Sequence, residues 1–152
     1  MENRELFERV AARILTEALD AFPEQRDFRS YEILEAEELD LSQHNFTLAD
    51  STLSWLHDEG FLRELGRGQP HDPTGTARLE CRKSRLTVVG LAALNQTVEM
   101  SGQSSGERAG DFLKDQVKQS GGEARKAAIS EIIEKIFGMA AAIASKAFLA
   151  GG

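Results

Sequence analysis

Two apolar helical segments flank two short strand-like segments in the middle of the chain, and this order restricts the fold more than any other feature. The helix before the strands is expected from near Thr47 to Gly60, and this glycine stands where a left-handed C-cap belongs. Residues 61–65 and 78–82 alternate between apolar and polar side chains, which predicts two strands joined by a loop rich in Gly and Pro. Thr87 predicts the start of the next helix. A helix, a β-hairpin and a helix therefore follow one another.

The sequence before this hairpin predicts two further helices. Apolar residues recur at helical spacing from Leu6 to Phe22, with charges between them, which predicts an amphipathic helix that Pro23 ends. A second helix is expected from Ser30, with its glutamates facing outward. The hairpin is therefore preceded by three helices in all, the third of them beginning near Thr47.

The composition changes at Met100 and indicates a division of the chain. Residues 101–106 are rich in Ser and Gly, which is typical of a linker. Residues 111–119 predict a short helix, and a longer apolar helix follows a Gly-Gly pair. We therefore expect a domain over residues 1–97, a linker with a short helix over 98–122 and a C-terminal helix over 123–152.

In the order and spacing of these elements, residues 6–95 resemble the winged helix-turn-helix superfamily. Residues 53–63 read Leu-Ser-Trp-Leu-His-Asp-Glu-Gly-Phe-Leu-Arg, similar to a recognition helix that runs into the first strand of a wing. Residues 86–94 read Leu-Thr-Val-Val-Gly-Leu-Ala-Ala-Leu, similar to the helix after the wing in bacterial MarR-like and PadR-like regulators. The resemblance implies a mainly α fold with a β-hairpin wing, in the α+β class, which recognises a nucleic acid or a protein.

The third helix would enter the DNA major groove in such a protein, yet its charge is unsuited to that role. Contacts to phosphates and guanines favour Lys and Arg, and this helix has neither. Residues 1–97 hold 11 Lys and Arg against 18 Asp and Glu, so the whole net charge of −7 lies there. Acidity of this size opposes non-specific DNA binding. The expected exposed face of the helix comprises Ala49, Asp50, Ser51, Ser54, His57 and Asp58.

The wing, residues 61–86, carries the opposite charge. Its cations outnumber its acids by six to three, so the hairpin is suited to contact phosphates or an acidic protein surface. A plainer interpretation is that Arg78 and Arg82 lie on a solvated strand face and form cross-strand pairs. We expect these two arginines above all to make the charged contact. The candidate partner- or phosphate-binding residues are Arg63, Arg67, Arg78, Arg82, Lys83 and Arg85.

The C-terminal helix carries an apolar stripe whose members alternate between steps of four and three residues. This spacing is that of a coiled-coil seam, and a helix this apolar needs a packing partner in water. Self-association or packing on the rest of the chain is the leading interpretation, membrane association and docking to another protein being the alternatives. The predicted oligomerisation residues are Ile129, Ile133, Ile136, Ala140, Ile143 and Ala147.

The sequence predicts no catalytic, metal or cofactor site. His44, His57 and His71 are 13 and 14 residues apart, and none has the spacing of a metal-ligand pair with another His or with Cys81. The cysteine is predicted to be a small core residue. A single cysteine fits a reducing compartment, and the N-terminus resembles no signal peptide, so a cytoplasmic location is expected.

We therefore expect a non-catalytic winged-helix protein that oligomerises through its C-terminal helix and docks a protein partner of unknown identity. A DNA-binding transcriptional regulator that uses its basic wing is the alternative function. A protein that associates with membranes through its C-terminal helix is the third, although the charged residues of that helix leave too short an uncharged run to cross a bilayer.

Overall fold

The computed structural model describes residues 2–68, 81–101, 106–119 and 121–151, with the backbone alone for residues 67, 68 and 147–151. These residues form a mainly helical structure with a small antiparallel sheet, so the expected α+β class is confirmed. The tip of the wing and most of the predicted Ser/Gly linker lie outside the described residues.

The elements follow the predicted order with two additions, a first strand before the second helix and a short strand pair before the fifth helix. The helices are α1 (Asn3–Ala21), α2 (Ser30–Ala36), α3 (Gln43–Asp58), α4 (Val88–Asn95), α5 (Ala109–Lys118) and α6 (Glu123–Gly151). The strands are β1 (Arg26–Phe28), β2 (Leu62–Gly68), β3 (Cys81–Leu86), β4 (Thr97–Val98) and β5 (Glu107–Arg108).

Side-chain caps fix the ends of the helices that flank the sheet. The Oγ of Ser42 accepts a hydrogen bond from the amide of Asn45, so α3 begins one turn earlier than the expected start near Thr47. The Thr87 hydroxyl accepts from the amide of Gly90 and starts α4, as predicted. Gly60 has a φ of +84° and lies just after the carboxyl end of α3, also as predicted.

The three-stranded sheet has the order β1-β3-β2, and both pairings are antiparallel. Strand β1 has only three residues and ends in Phe28, which is fully buried beside Arg82 of β3. A bulge between Glu64 and Gly66 shifts the register of β2 against β3. Because directly opposed residues share a face, Leu62 and Leu86 point together into the core.

Helix α1 lies at the centre of the helical layer and packs against α2, α3, α5 and α6. Its sequence pattern predicts one apolar face, but residues around most of its circumference are buried, including Ala11 and Ala12. The additional burial arises because α6 covers a second side of the helix. An aromatic cluster joins α1, α3 and α6. The ring centroid of Phe137 on α6 lies 4.8 Å from that of Trp55 on α3 and 6.0 Å from that of Phe7 on α1.

The predicted division into a domain, a linker and a separate C-terminal helix is wrong for the described residues. One hydrophobic core includes Leu15 of α1, Leu113 of α5 and Ile136 of α6. Residues within the predicted linker, such as Phe112 and Val117, are buried in that core. No helix in the described part of the chain is both long enough and apolar enough to cross a membrane.

Candidate recognition surface

The exposed face of α3 is acidic in the middle of the helix and at its carboxyl end. Asp50 and Ser51 are exposed as predicted, and Asp58 and Glu59 are exposed at the carboxyl end of the helix. Ala49 was expected on this face but is fully buried in the core. The exposed part of the helix therefore presents carboxylates where a DNA-reading helix presents Lys, Arg or amide side chains.

Ser54 and His57 were also expected on the exposed face of α3, but both are half-buried and point toward the sheet. Ser54 Oγ accepts a hydrogen bond of 2.8 Å from Arg82, and His57 Nε2 lies 2.7 Å from the hydroxyl of Ser84. These two side chains therefore join α3 to β3, and this internal role removes most of their surface from any partner.

Arg82 was predicted to be a principal charged contact of the wing, and the structure contradicts that prediction. Its side chain is only 5 % exposed and lies between α3 and the sheet, 3.3 Å from Glu64 Oε2 and 3.5 Å from Asp50 Oδ1. Alternation along β3 puts Arg82 on the same, inner face of the sheet as the buried Ser84, and α3 covers that face. Arg82 does pair with Glu64 of the neighbouring strand, as the plainer interpretation expected, but its side chain is buried and not solvated.

The surroundings of His57 favour its neutral imidazole over the charged form. Nδ1 lies 2.6 Å from the carbonyl oxygen of Leu53, so Nδ1 carries the hydrogen, and Nε2 accepts from the hydroxyl of Ser84. Burial, and after it the nearby charge of Arg82, lowers the pKa of His57, although the hydrogen bond to Leu53 opposes that shift. A positive charge on the imidazole would face the Arg82 guanidinium, 3.4 Å from Nδ1.

Three of the other predicted wing cations lie on the opposite, outer face of the sheet. Arg63 is exposed and stands directly opposite Arg85 in the strand register, while Lys83 stands opposite Asp27 of β1. Lys83 and Arg85 are half-buried. We call Arg63, Lys83 and Arg85 the outer basic face. The side chain of Arg67 and the whole of Arg78 lie outside the described residues.

The predicted oligomerisation seam is an internal contact of the chain itself. Ile129, Ile133 and Ile136 are no more than 1 % exposed, and Ala140 is 4 % exposed. Their partners are on α1, α4 and α5, against which α6 packs. Ile143 is half-buried beyond this contact, and the side chain of Ala147 is outside the described residues. The seam is therefore wrong as an intermolecular surface, because the same chain already covers it.

A buried ionic cluster joins the two ends of the chain, and the sequence analysis missed it. Glu37, at the end of α2, accepts hydrogen bonds from Arg9 and Arg13 of α1 and from Arg125 of α6. Arg125 Nη2 lies 3.1 Å from Glu37 Oε1 and 3.2 Å from Oε2. We call Glu37, Arg9, Arg13 and Arg125 the Glu37 cluster. Glu37 is one of four glutamates between residues 32 and 38 that were all expected to face outward, so no local signal distinguishes it.

Nucleophilic and metal-ligating groups are dispersed in the part of the chain that the structure describes. No three His, Cys, Asp or Glu side chains are placed to hold a metal ion there. Cys81 is buried as expected, and burial, with the charge of Asp27 after it, raises the pKa of its thiol. His44 is exposed, with Nε2 donating to Asn3 Oδ1, and His71 lies outside the described residues.

The structure therefore brings together an acidic third helix, an inner polar contact around Arg82 and an outer basic face on the sheet. The first two are contiguous through Asp50, and the third lies across the sheet from them. A scan against protein-family models found no match for the chain, and searches of curated proteins and of solved structures found none either.

Proposed function

We propose that this chain is a non-catalytic winged-helix recognition protein that docks a protein partner. The order of α1, β1, α2, α3, β2 and β3, with β3 between the other two strands, supports the winged-helix part of this proposal. In that arrangement α3 is the recognition helix and the β2–β3 hairpin is the wing.

The charge of α3 is the observation that carries the choice of a protein partner. Its exposed surface presents Asp50 in the middle of the helix and Asp58 and Glu59 at the carboxyl end. Arg82, a basic residue in contact with this helix, is buried and already paired with carboxylates. Placing this face in a DNA groove would bring carboxylates near phosphates, which is unfavourable.

The outer basic face supplies the attractive charge for such a partner. Arg63 and Arg85 stand directly opposite each other on neighbouring strands, and like charges in that position destabilise a sheet. Within the described part of the chain, no carboxylate forms an ion pair with either of them. An acidic group on a partner would relieve this repulsion, so we expect acidic surfaces or acidic peptides to bind here.

Self-association remains part of the proposal, on a different surface. Beyond Ala140, residues 141–144 of α6 are small or apolar: Ala141, Ala142 and Ala144 are exposed, and Ile143 is half-buried at the edge of the core. We expect this end, rather than the buried seam, to contact a second copy of the chain. A membrane surface is the alternative occupant, and a cytoplasmic location remains an expectation.

The alternative function is a DNA-binding regulator that contacts phosphates through its wing. The outer basic face favours it, because three cations on one face of a hairpin can follow a phosphate backbone. Such binding would be dominated by charge, so its affinity would fall steeply with salt concentration.

The two functions separate in one experiment with a matched control. Fluorescence anisotropy of a random-sequence duplex is measured at low salt with the native chain, with Arg63→Glu/Arg85→Glu and with Arg108→Glu/Lys146→Glu. The two double variants change the net charge equally, and Arg108 and Lys146 are exposed away from the outer basic face. The same three proteins are used to capture partners from a native extract by crosslinking.

The protein-docking proposal predicts no saturable duplex binding by any of the three proteins. It also predicts a captured protein that Arg63→Glu/Arg85→Glu loses and Arg108→Glu/Lys146→Glu keeps. Duplex binding that disappears in Arg63→Glu/Arg85→Glu alone, and that weakens with added salt, would reject protein docking in favour of the regulator.

A further inference from the structure

The Glu37 cluster forms one wall of a cleft between α1, the end of α2, the end of α5 and the start of α6. The cleft has a volume of about 350 Å³, which is at the lower end of the range for small-molecule sites. Four cationic side chains and two carboxylates line it, which leaves a local surplus of two positive charges. These charged residues are Arg9, Arg13, Lys118, Arg125, Glu37 and Glu38.

The ionic contacts of the cluster do not account for this surplus. One buried carboxylate, that of Glu37, contacts three guanidinium groups, so the four residues of the cluster together carry a net charge of +2. The side chains of Arg9, Arg13 and Arg125 are 19 %, 20 % and 8 % exposed. Three like charges therefore share one carboxylate in a largely buried setting, which is electrostatically unfavourable.

The guanidinium groups also retain hydrogen-bonding capacity toward the cleft. Arg125 uses Nε for the carbonyl of Gln116 and Nη2 for Glu37 and the carbonyl of Val117. Its Nη1 has no hydrogen-bond acceptor among the described residues, and the same is true of Arg13 Nη1. Both side chains line the cleft, so these donors are available to a molecule within it.

We propose that this cleft binds a small phosphate dianion, either free or as the phosphate group of a small organic molecule. Guanidinium groups match the geometry of phosphate oxygens and form strong charge-assisted hydrogen bonds to them. A dianion balances the surplus of two positive charges. The site is independent of the outer basic face and of the proposed recognition function. Because Arg125 lies in the first turn of α6, bound phosphate also strengthens the attachment of that helix to α1 and α2.

Isothermal titration of the full chain tests the proposal with three probes at matched ionic strength: inorganic phosphate, adenosine 5′-monophosphate and adenosine. The informative variant is Lys118→Glu, which changes the charge at an exposed position of the cleft from +1 to −1 and cancels the surplus. Lys146→Glu makes the same charge change at an exposed position outside the cleft and serves as the control.

We expect saturable binding of inorganic phosphate or of the monophosphate, weakened about tenfold by Lys118→Glu and less than about twofold by Lys146→Glu. Equal affinities for the two phosphate probes identify free phosphate as the ligand, and tighter binding of the monophosphate identifies a phosphorylated organic molecule. Circular dichroism confirms that the variants are folded, and Lys118→Ala replaces Lys118→Glu if the latter is not.

Three results would overturn the proposal. The first is the absence of binding by both phosphate probes at about 10 mM, a concentration well above that of a site with useful affinity. The second is adenosine binding as tightly as its monophosphate while inorganic phosphate does not bind. The third is equal weakening by Lys118→Glu and Lys146→Glu, because that outcome would assign the interaction to the overall charge of the chain.

Discussion

Replacing Arg82 by Met tests whether this residue holds the wing against α3 or contacts a partner. Met retains most of the apolar volume of the arginine stem, so the substitution removes mainly the guanidinium group and leaves little cavity. The guanidinium donates to Ser54 Oγ at 2.8 Å and approaches the carboxylates of Glu64 and Asp50. Its loss therefore removes the hydrogen bond and the ion pairs by which Arg82 joins the inner face of the sheet to α3.

The magnitude follows from these contacts. A hydrogen bond from a charged donor contributes about 1.5–3 kcal/mol. The carboxylates of Glu64 and Asp50 are 26 % and 62 % exposed, so solvent screening limits each pair to less than about 1 kcal/mol. Arg82 Nε is buried without a partner among the described residues, and Met removes that unfavourable group at a gain of about 1 kcal/mol. The net loss of unfolding free energy is about 2 kcal/mol.

Urea unfolding followed by circular dichroism measures the loss, with Arg63→Met on the exposed outer face as the matched control. We expect the midpoint of Arg82→Met to fall by about 1 M and that of Arg63→Met to change by less than about 0.3 M. A double-mutant cycle with Glu64→Gln should give a coupling of about 0.5 kcal/mol. If the two single variants differ by less than about 0.5 kcal/mol, the structural role argued for Arg82 is wrong.

Further predictions concern His57 and two glycines. Because burial lowers the pKa of His57 below 6.5, the unfolded chain binds a proton that the native chain does not, so stability falls as pH falls below about 6.5. His57→Gln should therefore lose less unfolding free energy between about pH 7 and pH 5 than the exposed His44→Gln, in urea titrations at each pH. Gly90→Ala would place Cβ 2.5 Å from the Phe61 carbonyl oxygen and should destabilise by about 2 kcal/mol. Gly138→Ala meets nothing within 4 Å and should stabilise α6 by about 0.5–1 kcal/mol, and thermal unfolding should show opposite shifts for the two.

The helices were predictable because their signals are local. The apolar spacing before Pro23, the Thr87 cap and the left-handed Gly60 each act over a few residues, and the structure confirms them. Strand β1 was missed because it has three residues and no alternation long enough to detect. It forms only by pairing with β3, more than fifty residues later in the chain, and such non-local pairing leaves no local pattern.

The site was less predictable, because its residues are selected by tertiary packing. A period of two in β3 correctly places neighbouring residues on opposite faces, but it does not say which face α3 covers. For that reason the sequence analysis assigned Cys81 to the interior and Arg82 to solvent, whereas both are buried. Glu37 is likewise indistinguishable from its neighbouring glutamates until Arg125, 88 residues later, is placed beside it.

The C-terminal stripe shows the same limit and gives a decisive test. Spacing correctly identified an apolar stripe, but the stripe packs on α1, α4 and α5 of its own chain. Ending the chain after Gly122 removes several fully buried isoleucines, including Ile132 and Ile133. Each of the four fully buried isoleucines that are lost costs about 2–5 kcal/mol, so their total is as large as the 5–15 kcal/mol that typically stabilises a whole domain. The shortened chain should therefore show no cooperative urea transition, whereas a chain ending at Lys146 should keep one. A folded, cooperative chain ending at Gly122 would instead make α6 an appendage, as the predicted division into domains had it.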